Sequence, residues 1–131
     1  MNIESLKTIQ SDFPVKETVN RLIQKIEEKE WHIFAHIDHA KEARNKGLEL
    51  RPTQVILFGN PKIGTLLMQD QQSVAIDLPI KALVWEDKDG QVMVAYNTVD
   101  WLKERHRLTD DNTLKIIDKI LESVCHFATR E

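Results

Sequence analysis

The chain has 131 residues, of which 41% are hydrophobic and 30% are charged, and its formal net charge is -3 at pH 7. This length predicts one domain, residues 1–131, and the composition excludes disordered and fibrous proteins. The negative charge argues against a nucleic-acid binder, and neither a run of about eighteen apolar residues nor a secretion signal is found, which argues against a membrane protein.

The first predicted strand covers residues 3–10, and a helix follows it. Ser11 or Asp12 is expected to cap this helix and Pro14 to open it, because proline is tolerated in the first helical turn. Apolar residues then recur at the spacing of one helix face, namely Val15, Val19, Leu22, Ile23 and Ile26. We therefore expect this helix to pack on the sheet.

Two further strands are predicted over residues 31–38 and 54–60, both rich in apolar, β-branched or aromatic side chains. Between them, a helix over residues 39–46 is expected to end at Gly47. This connection is long enough for a crossover. It therefore predicts that the two strands are parallel and end at the same edge of the sheet.

A hairpin is the clearest feature of the second half. Strands over residues 80–86 and 92–96 flank the sequence Asp87-Lys88-Asp89-Gly90, whose residue types favour a tight turn. The two strands are therefore expected to be antiparallel.

Two helices are predicted after the hairpin. Asn97 or Thr98 can cap a short helix that carries His106, and Thr109-Asp110-Asp111 places favourable negative charge at the start of the last helix, residues 110–128. Cys125 lies on the apolar side of this helix and is expected to be a buried structural thiol. Trp31, Trp85 and Trp101 are expected in the core or at a dimer face.

Several polar residues fall on the turns between these elements. If the second and third strands are parallel, one edge of the sheet gathers a predicted polar cleft made of His39, Asn60, Lys62, Asp77 and His106. Polar groups that converge in one cleft are typical of ligand sites.

Three short segments carry a family resemblance: Ile37-Asp38-His39-Ala40, the block from Phe58 to Met68 with sequence FGNPKIGTLLM, and Ile76-Asp77-Leu78-Pro79. Together they resemble the domain of unknown function 302 family, most strongly over residues 11–108. The resemblance implies an α+β two-layer sandwich with a mixed, mostly antiparallel sheet of about five strands, in a β-α-β(4)-α plan like that of the TATA-binding protein. It also implies a bacterial or archaeal homodimer in the cytoplasm, with no established activity and no known cofactor.

The turn after the third strand could bind a small anion. Asn60 as helix cap and Pro61 as first helical residue would leave backbone N–H groups free, and Lys62 would add positive charge. Residues 41–62 carry five basic and two acidic residues. The alternative is a rigid turn beside a solvated helix face.

Acid–base chemistry is a second hypothesis, with His39 and Asp77 as the proton-transferring pair. His36, Asp38 and His106 could hold a metal ion beside them. In the alternative interpretation, Asp38 caps the next helix and Asp77 accepts hydrogen bonds from backbone N–H groups.

These patterns leave three functions open. The first is a small-molecule or anion binding or sensing domain with the polar cleft described above. The second is an enzyme that uses a His/Asp pair, with or without a metal. The third is a structural module that acts as a dimer. The chain is expected in the cytoplasm, because no secretion signal is found; its single cysteine can form no internal disulfide, so an oxidising compartment is neither required nor suggested.

Overall fold

The computed structural model describes residues 4–131, which form a five-stranded sheet with helices packed on it. In chain order the elements are β1 (Leu6–Gln10), α1 (Val15–Glu28), β2 (His32–Asp38), α2 (His39–Asn45), β3 (Thr53–Gly59), α3 (Pro61–Asp70), a 3₁₀ helix (Gln72–Asp77), β4 (Ile80–Glu86), β5 (Val92–Asn97), α4 (Val99–His106) and α5 (Asp111–Thr129). The predicted first strand begins at residue 3, which lies outside the described residues. The α+β sandwich and the β4–β5 hairpin are confirmed.

The sheet has the strand order β1-β5-β4-β3-β2, and every neighbouring pair is antiparallel. The predicted parallel arrangement of β2 and β3 is therefore wrong: Asp38 at the end of β2 lies opposite Gln54 at the beginning of β3. Residues 39–52 are enough for a crossover or for a return. In the structure, α2 leaves the chain at the end where β2 finishes, and β3 runs back beside β2.

Helices α1 and α5 cover one face of the sheet. Alternate residues of the strands point toward them and are fully buried, among them Ile56, Phe58, Ala82, Val84 and Val94. The apolar faces of both helices complete this core with Val19, Leu22, Ile26, Ile117, Leu121 and Val124. Trp31 and Trp101 pack against the same core, whereas Trp85 lies on the opposite face of the sheet. Within residues 4–131, none of the helices is long and apolar enough to cross a membrane.

The start of α1 differs from the prediction. Pro14 itself is the N-cap residue, and no side chain caps the helix. The Ser11 hydroxyl instead forms a buried hydrogen bond of 2.7 Å with the Thr18 hydroxyl. Ser11 therefore connects the end of β1 to α1 and does not cap the helix.

The later helix boundaries agree with their predicted caps. The Thr98 hydroxyl accepts a hydrogen bond from the Trp101 backbone N–H in α4, and the Asp110 carboxylate accepts one from that of Thr113 in α5. Gly47, just beyond α2, has a positive φ of 76°, as expected for a glycine that ends a helix. Cys125 is buried, and burial raises the pKa of its thiol to about 12.

Asp70 connects the end of α3 to the turn between α4 and α5. Its carboxylate accepts hydrogen bonds from the backbone N–H groups of Asp110 and Thr109, at 2.9 and 2.8 Å, and from the Thr109 hydroxyl at 3.0 Å. These bonds, led by the one from Asp110, lower the pKa of the Asp70 carboxyl below its usual value. The folded state therefore favours the ionised carboxylate.

We expect Asp70→Ala to lower the melting temperature at neutral pH and to reduce the loss of stability in acid. A lowered carboxyl pKa contributes stability that is present above the unfolded value and is lost as pH falls through the folded value. Urea denaturation of both proteins between pH 7 and pH 3 measures this difference. Asp89→Ala, in the exposed hairpin turn, is the control and should retain the wild-type pH dependence. If the Asp70 variant lost as much unfolding free energy between pH 7 and pH 3 as the wild type does, this role of Asp70 would be contradicted.

Candidate functional site

The predicted polar cleft divides between two ends of the sheet. Asn60 follows β3 and Asp77 precedes β4, and these strand ends adjoin because Phe58 lies opposite Ile80. His106 reaches the same end from α4, and Lys62 is exposed in the first turn of α3. His39 follows β2 and lies at the other end, about 20 Å away along β3. The predicted acid–base pair of His39 and Asp77 is therefore not formed.

The residues around His39 have local structural roles. The Asp38 carboxylate caps α2 by accepting a hydrogen bond of 2.9 Å from the Lys41 backbone N–H. His36 Nε2 lies 2.6 Å from Gln54 Oε1 at the surface, and His106 lies at the opposite end of the sheet. The predicted metal-ligand set is thus not assembled, and residues 4–131 contain no group of three or more His, Cys, Asp or Glu side chains that could hold a metal ion.

Asn60 caps α3 as predicted, but the cap uses the donors that were expected to hold an anion. Its Oδ1 accepts hydrogen bonds from the backbone N–H groups of Lys62 at 3.0 Å and Ile63 at 3.4 Å. The Gly64 N–H donates to the Asn60 carbonyl at 2.8 Å, and Pro61 has no N–H. The backbone N–H groups of this turn are thus already used, and the exposed Lys62 ammonium is the charged group left there to attract an anion.

The capping hydrogen bonds also fix the direction of the Asn60 amide nitrogen, Nδ2. Because Oδ1 accepts both backbone hydrogen bonds, Nδ2 points away from the helix, and it has no hydrogen-bond partner within residues 4–131. An amide nitrogen offers two donors. Asn60 therefore presents directed donors next to the space described below.

A cavity of about 300 Å³ lies beside Asn60, between α3, the 3₁₀ helix and the adjoining strand ends. It is partly open to solvent, and Phe34 among its lining residues is 48% exposed. Its walls are mostly apolar and are formed by Trp31, Phe34, Pro61, Ile63, Met68, Ala75, Leu78, Pro79, Ile80 and Ile117, together with Gly59, Asn60, Gly64 and Thr65. Of the five predicted cleft residues, only Asn60 lines it.

Gly64 leaves part of this space open. A Cβ atom at this position would lie 3.8 Å from Leu78 Cδ1 and 3.9 Å from Met68 Cε, which are ordinary contacts. A glycine inside a helix costs about 1 kcal/mol relative to alanine. The only available sequence signal for the cavity was this helical glycine among large apolar residues.

Asp77 and His106 form a second cluster at the same end of the sheet. His106 Nε2 lies 2.5 Å from Asp77 Oδ2, and His106 Nδ1 lies 2.8 Å from the Ser73 hydroxyl oxygen. The His106 side chain is 5% exposed and that of Asp77 is 16% exposed, whereas Ser73 is exposed. Sequence analysis paired Asp77 with His39 and did not identify Ser73.

Two cations hold the segment that carries Asp77. Arg105 Nε lies 3.1 Å from Asp77 Oδ2. Lys81 donates to the backbone carbonyl groups of Pro79 at 3.0 Å and Asp77 at 3.4 Å, next to the cis peptide bond between Leu78 and Pro79. The carboxylate therefore forms a hydrogen bond with His106 and an ion pair with Arg105, both side chains of α4, and is held from two sides.

Comparison with known proteins gives one family and one fold. A family model described as "Domain of unknown function DUF302" matches residues 7–124. "Fluoride-specific ion channel FluC 1" of Brucella suis biovar 1 is 44% identical over 103 residues, 79% of this chain and 41% of that protein. "Fluoride-specific ion channel FluC 2" of Brucella melitensis biotype 1 has the same identity over 38% of its length. The chain thus spans about two fifths of the curated relatives it matches.

A solved structure has the same fold. The "crystal structure of uncharacterized conserved protein DUF302" from Bacillus stearothermophilus superimposes with a TM-score of 0.82 and 18% sequence identity. The match covers 98% of this chain and 100% of the other. At this identity the similarity establishes the fold alone.

The cap at Asn60 leads to a stability prediction. Asn60→Ala should lower the free energy of unfolding by about 1 kcal/mol, because two backbone donors lose their acceptor. Asn60→Asp should have little effect, since a carboxylate caps equally well and suits the positive end of a helix. Urea denaturation measures both variants. Equal destabilisation by the two substitutions would contradict the capping role.

Proposed function

The chain belongs to the DUF302 family, and from this membership and the geometry above we propose that it is a small-molecule binding domain whose ligand occupies the cavity beside Asn60. The supporting observation is an apolar cavity of about 300 Å³ with a directed polar group at its wall. Such a combination is typical of ligand pockets, which start at about this volume. The description of the family names no activity.

The lining residues suggest the chemistry of the ligand. The apolar walls favour a hydrocarbon or aromatic body, and Asn60 Nδ2 favours a hydrogen-bond acceptor on it. The Thr65 hydroxyl donates its proton to the Pro61 carbonyl at 2.6 Å, so toward a ligand it can only accept a hydrogen bond. A small molecule with an apolar body and a carbonyl or carboxylate group meets these conditions.

The names of the Brucella relatives raise the alternative of an anion ligand. We do not propose channel activity for this chain, which spans about two fifths of those proteins. Binding of a small inorganic anion at the start of α3 would depend on the Lys62 ammonium without the backbone N–H groups, since Asn60 Oδ1 already accepts from them. Fluoride and phosphate therefore serve as the anion arm of the test below.

We expect straight-chain carboxylates or amides of six to ten carbons to raise the melting temperature, as a ligand that binds only the folded state must. Gly64→Leu should abolish this shift by filling the cavity, and Gly64→Ala is its matched control and should retain it. Asn60→Asp, which keeps the cap, should weaken binding of carboxylates at least tenfold by replacing a donor with a like charge.

Differential scanning fluorimetry at millimolar ligand concentration measures these shifts. Equal shifts in the wild type and in Gly64→Leu would contradict binding in the cavity. A response to fluoride or phosphate alone would favour the anion alternative.

We further propose that two copies of the chain associate through the face of the sheet opposite α1 and α5. Residues directly opposite one another on neighbouring strands share a face, and one such row runs through Ala95, Leu83, Val55 and Ile37. Leu83 and Val55 are only partly buried, and Ile37 is 36% exposed. Trp85 and Met93 form the next row.

The continuity of this face supports a second copy as its partner. Its first row crosses four neighbouring strands, about 14 Å at the usual strand spacing, and contiguous exposed apolar patches are often interaction sites on soluble proteins. A two-fold axis would bring the same patch of both copies together. Packing of two sheets face to face, about 10 Å apart, would remove both patches from water.

Sedimentation velocity at micromolar concentration should therefore show twice the monomer mass. Leu83→Glu should weaken dimerisation at least tenfold, because two carboxylates would be buried in an apolar interface. Ile76→Glu, a substitution at a residue that is 73% exposed on the 3₁₀ helix, is the control and should leave the dimer intact. A monomeric wild type would overturn this proposal.

We also propose that the protein acts in the cytoplasm of a bacterium. The relatives above come from bacteria. Cys125 is free and buried, which suits a compartment where thiols stay reduced.

A further inference from the structure

A line of hydrogen bonds joins three side chains outside the cavity. Ser73 and Asp77 both belong to the 3₁₀ helix, and His106 ends α4 between them. The Ser73 hydroxyl contacts Nδ1 of His106 at 2.8 Å, and Asp77 Oδ2 contacts Nε2 at 2.5 Å. A hydroxyl, an imidazole and a carboxylate are thus arranged in the order that activates a serine.

The carboxylate determines the direction of these hydrogen bonds. An ionised Asp77 can only accept, so Nε2 of His106 carries the proton. In the neutral ring Nδ1 is then an acceptor, and the Ser73 hydroxyl donates to it. The Arg105 guanidinium contacts the same Asp77 oxygen at 3.1 Å and holds the carboxylate from a second side.

The base is buried, whereas the nucleophile is exposed. The His106 side chain is 5% exposed and Asp77 is 16% exposed, so bulk water competes little for the hydrogen bond between them. Ser73 is exposed. An incoming molecule can therefore reach the hydroxyl oxygen while the imidazole stays fixed behind it.

We propose that Ser73 is a nucleophile that accepts an acyl group from a small ester, with His106 as the general base and Asp77 as a positioning residue. This site is independent of the proposed cavity ligand, because none of its three residues lines the cavity.

The reaction balances without a cofactor. As Ser73 Oγ bonds to the ester carbonyl carbon, its proton passes to His106 Nδ1. The bond from that carbon to the alcohol oxygen then breaks, and the leaving oxygen takes the proton from Nδ1. Water next attacks the acyl-serine, one water proton returns through Nδ1 to Ser73 Oγ, and the acid is released. The sum is ester plus water giving acid plus alcohol.

The test uses a fluorophosphonate, which forms an Oγ–P bond with an activated serine and releases fluoride. Mass spectrometry of peptides from the labelled wild type compares Ser73 with Ser5 and Ser123, two partly exposed serines that lack a histidine partner in the described residues. We expect Ser73 to react at least tenfold faster than either serine. Equal rates at the three serines would overturn the proposal, and this comparison requires no variant.

Variants then test the role of each partner. Asp77→Asn can donate to Nε2 and so place the proton on Nδ1, where it blocks acceptance from Ser73; we expect at least a tenfold loss of labelling and a changed dependence of the labelling rate on pH. Ser73→Ala should remove the label and the acetyl group that 4-nitrophenyl acetate transfers to this site. Circular dichroism confirms that the variants are folded. Undiminished labelling in folded Asp77→Asn would show that the carboxylate is only structural and would overturn the triad.

Discussion

The antiparallel pairing of β3 with both of its neighbours is the constraint on which the rest of the structure depends. Because β2 and β4 both run opposite to β3, the end of β3 meets the start of β4 and lies far from the end of β2. This arrangement brings Asn60, the 3₁₀ helix and α4 to one end of the sheet. His39 is left at the other end, where Asp38 caps a short helix.

One segment supports both of the features proposed as functional. The 3₁₀ helix contributes Ala75 to the cavity wall and Ser73 and Asp77 to the hydrogen bonds of His106. Lys81 holds its last residue and the chain just beyond it through the carbonyl groups of Asp77 and Pro79, and the preceding helix is held by Asp70 through the turn at Thr109 and Asp110. A ligand in the cavity and a substrate at Ser73 would therefore meet surfaces that belong to one rigidly connected segment.

Local patterns predicted much of the fold. Helical spacing of apolar residues, the turn residues at Asp87–Gly90 and the caps at Asn60 and Thr98 all act over a few positions, and the structure confirms them. The strand direction failed because the connection through α2 permits either a crossover or a return, and its length alone does not distinguish them. Because this one strand direction was wrong, His39 was predicted beside Asp77, whereas the structure separates them. The end of the sheet that carries Asp77 has an apolar cavity beside Asn60 instead of the predicted polar cleft.

The sequence by itself determined the family, the α+β class and the positions of nearly all elements, because these depend on motifs and on interactions between residues close in the chain. Only the tertiary structure decided which side chains meet. Ser73 and His106 are separated by 33 positions, and no periodicity or turn signal relates them. Their contact follows from the packing of α4 against the 3₁₀ helix, and hence from burial summed over the whole core.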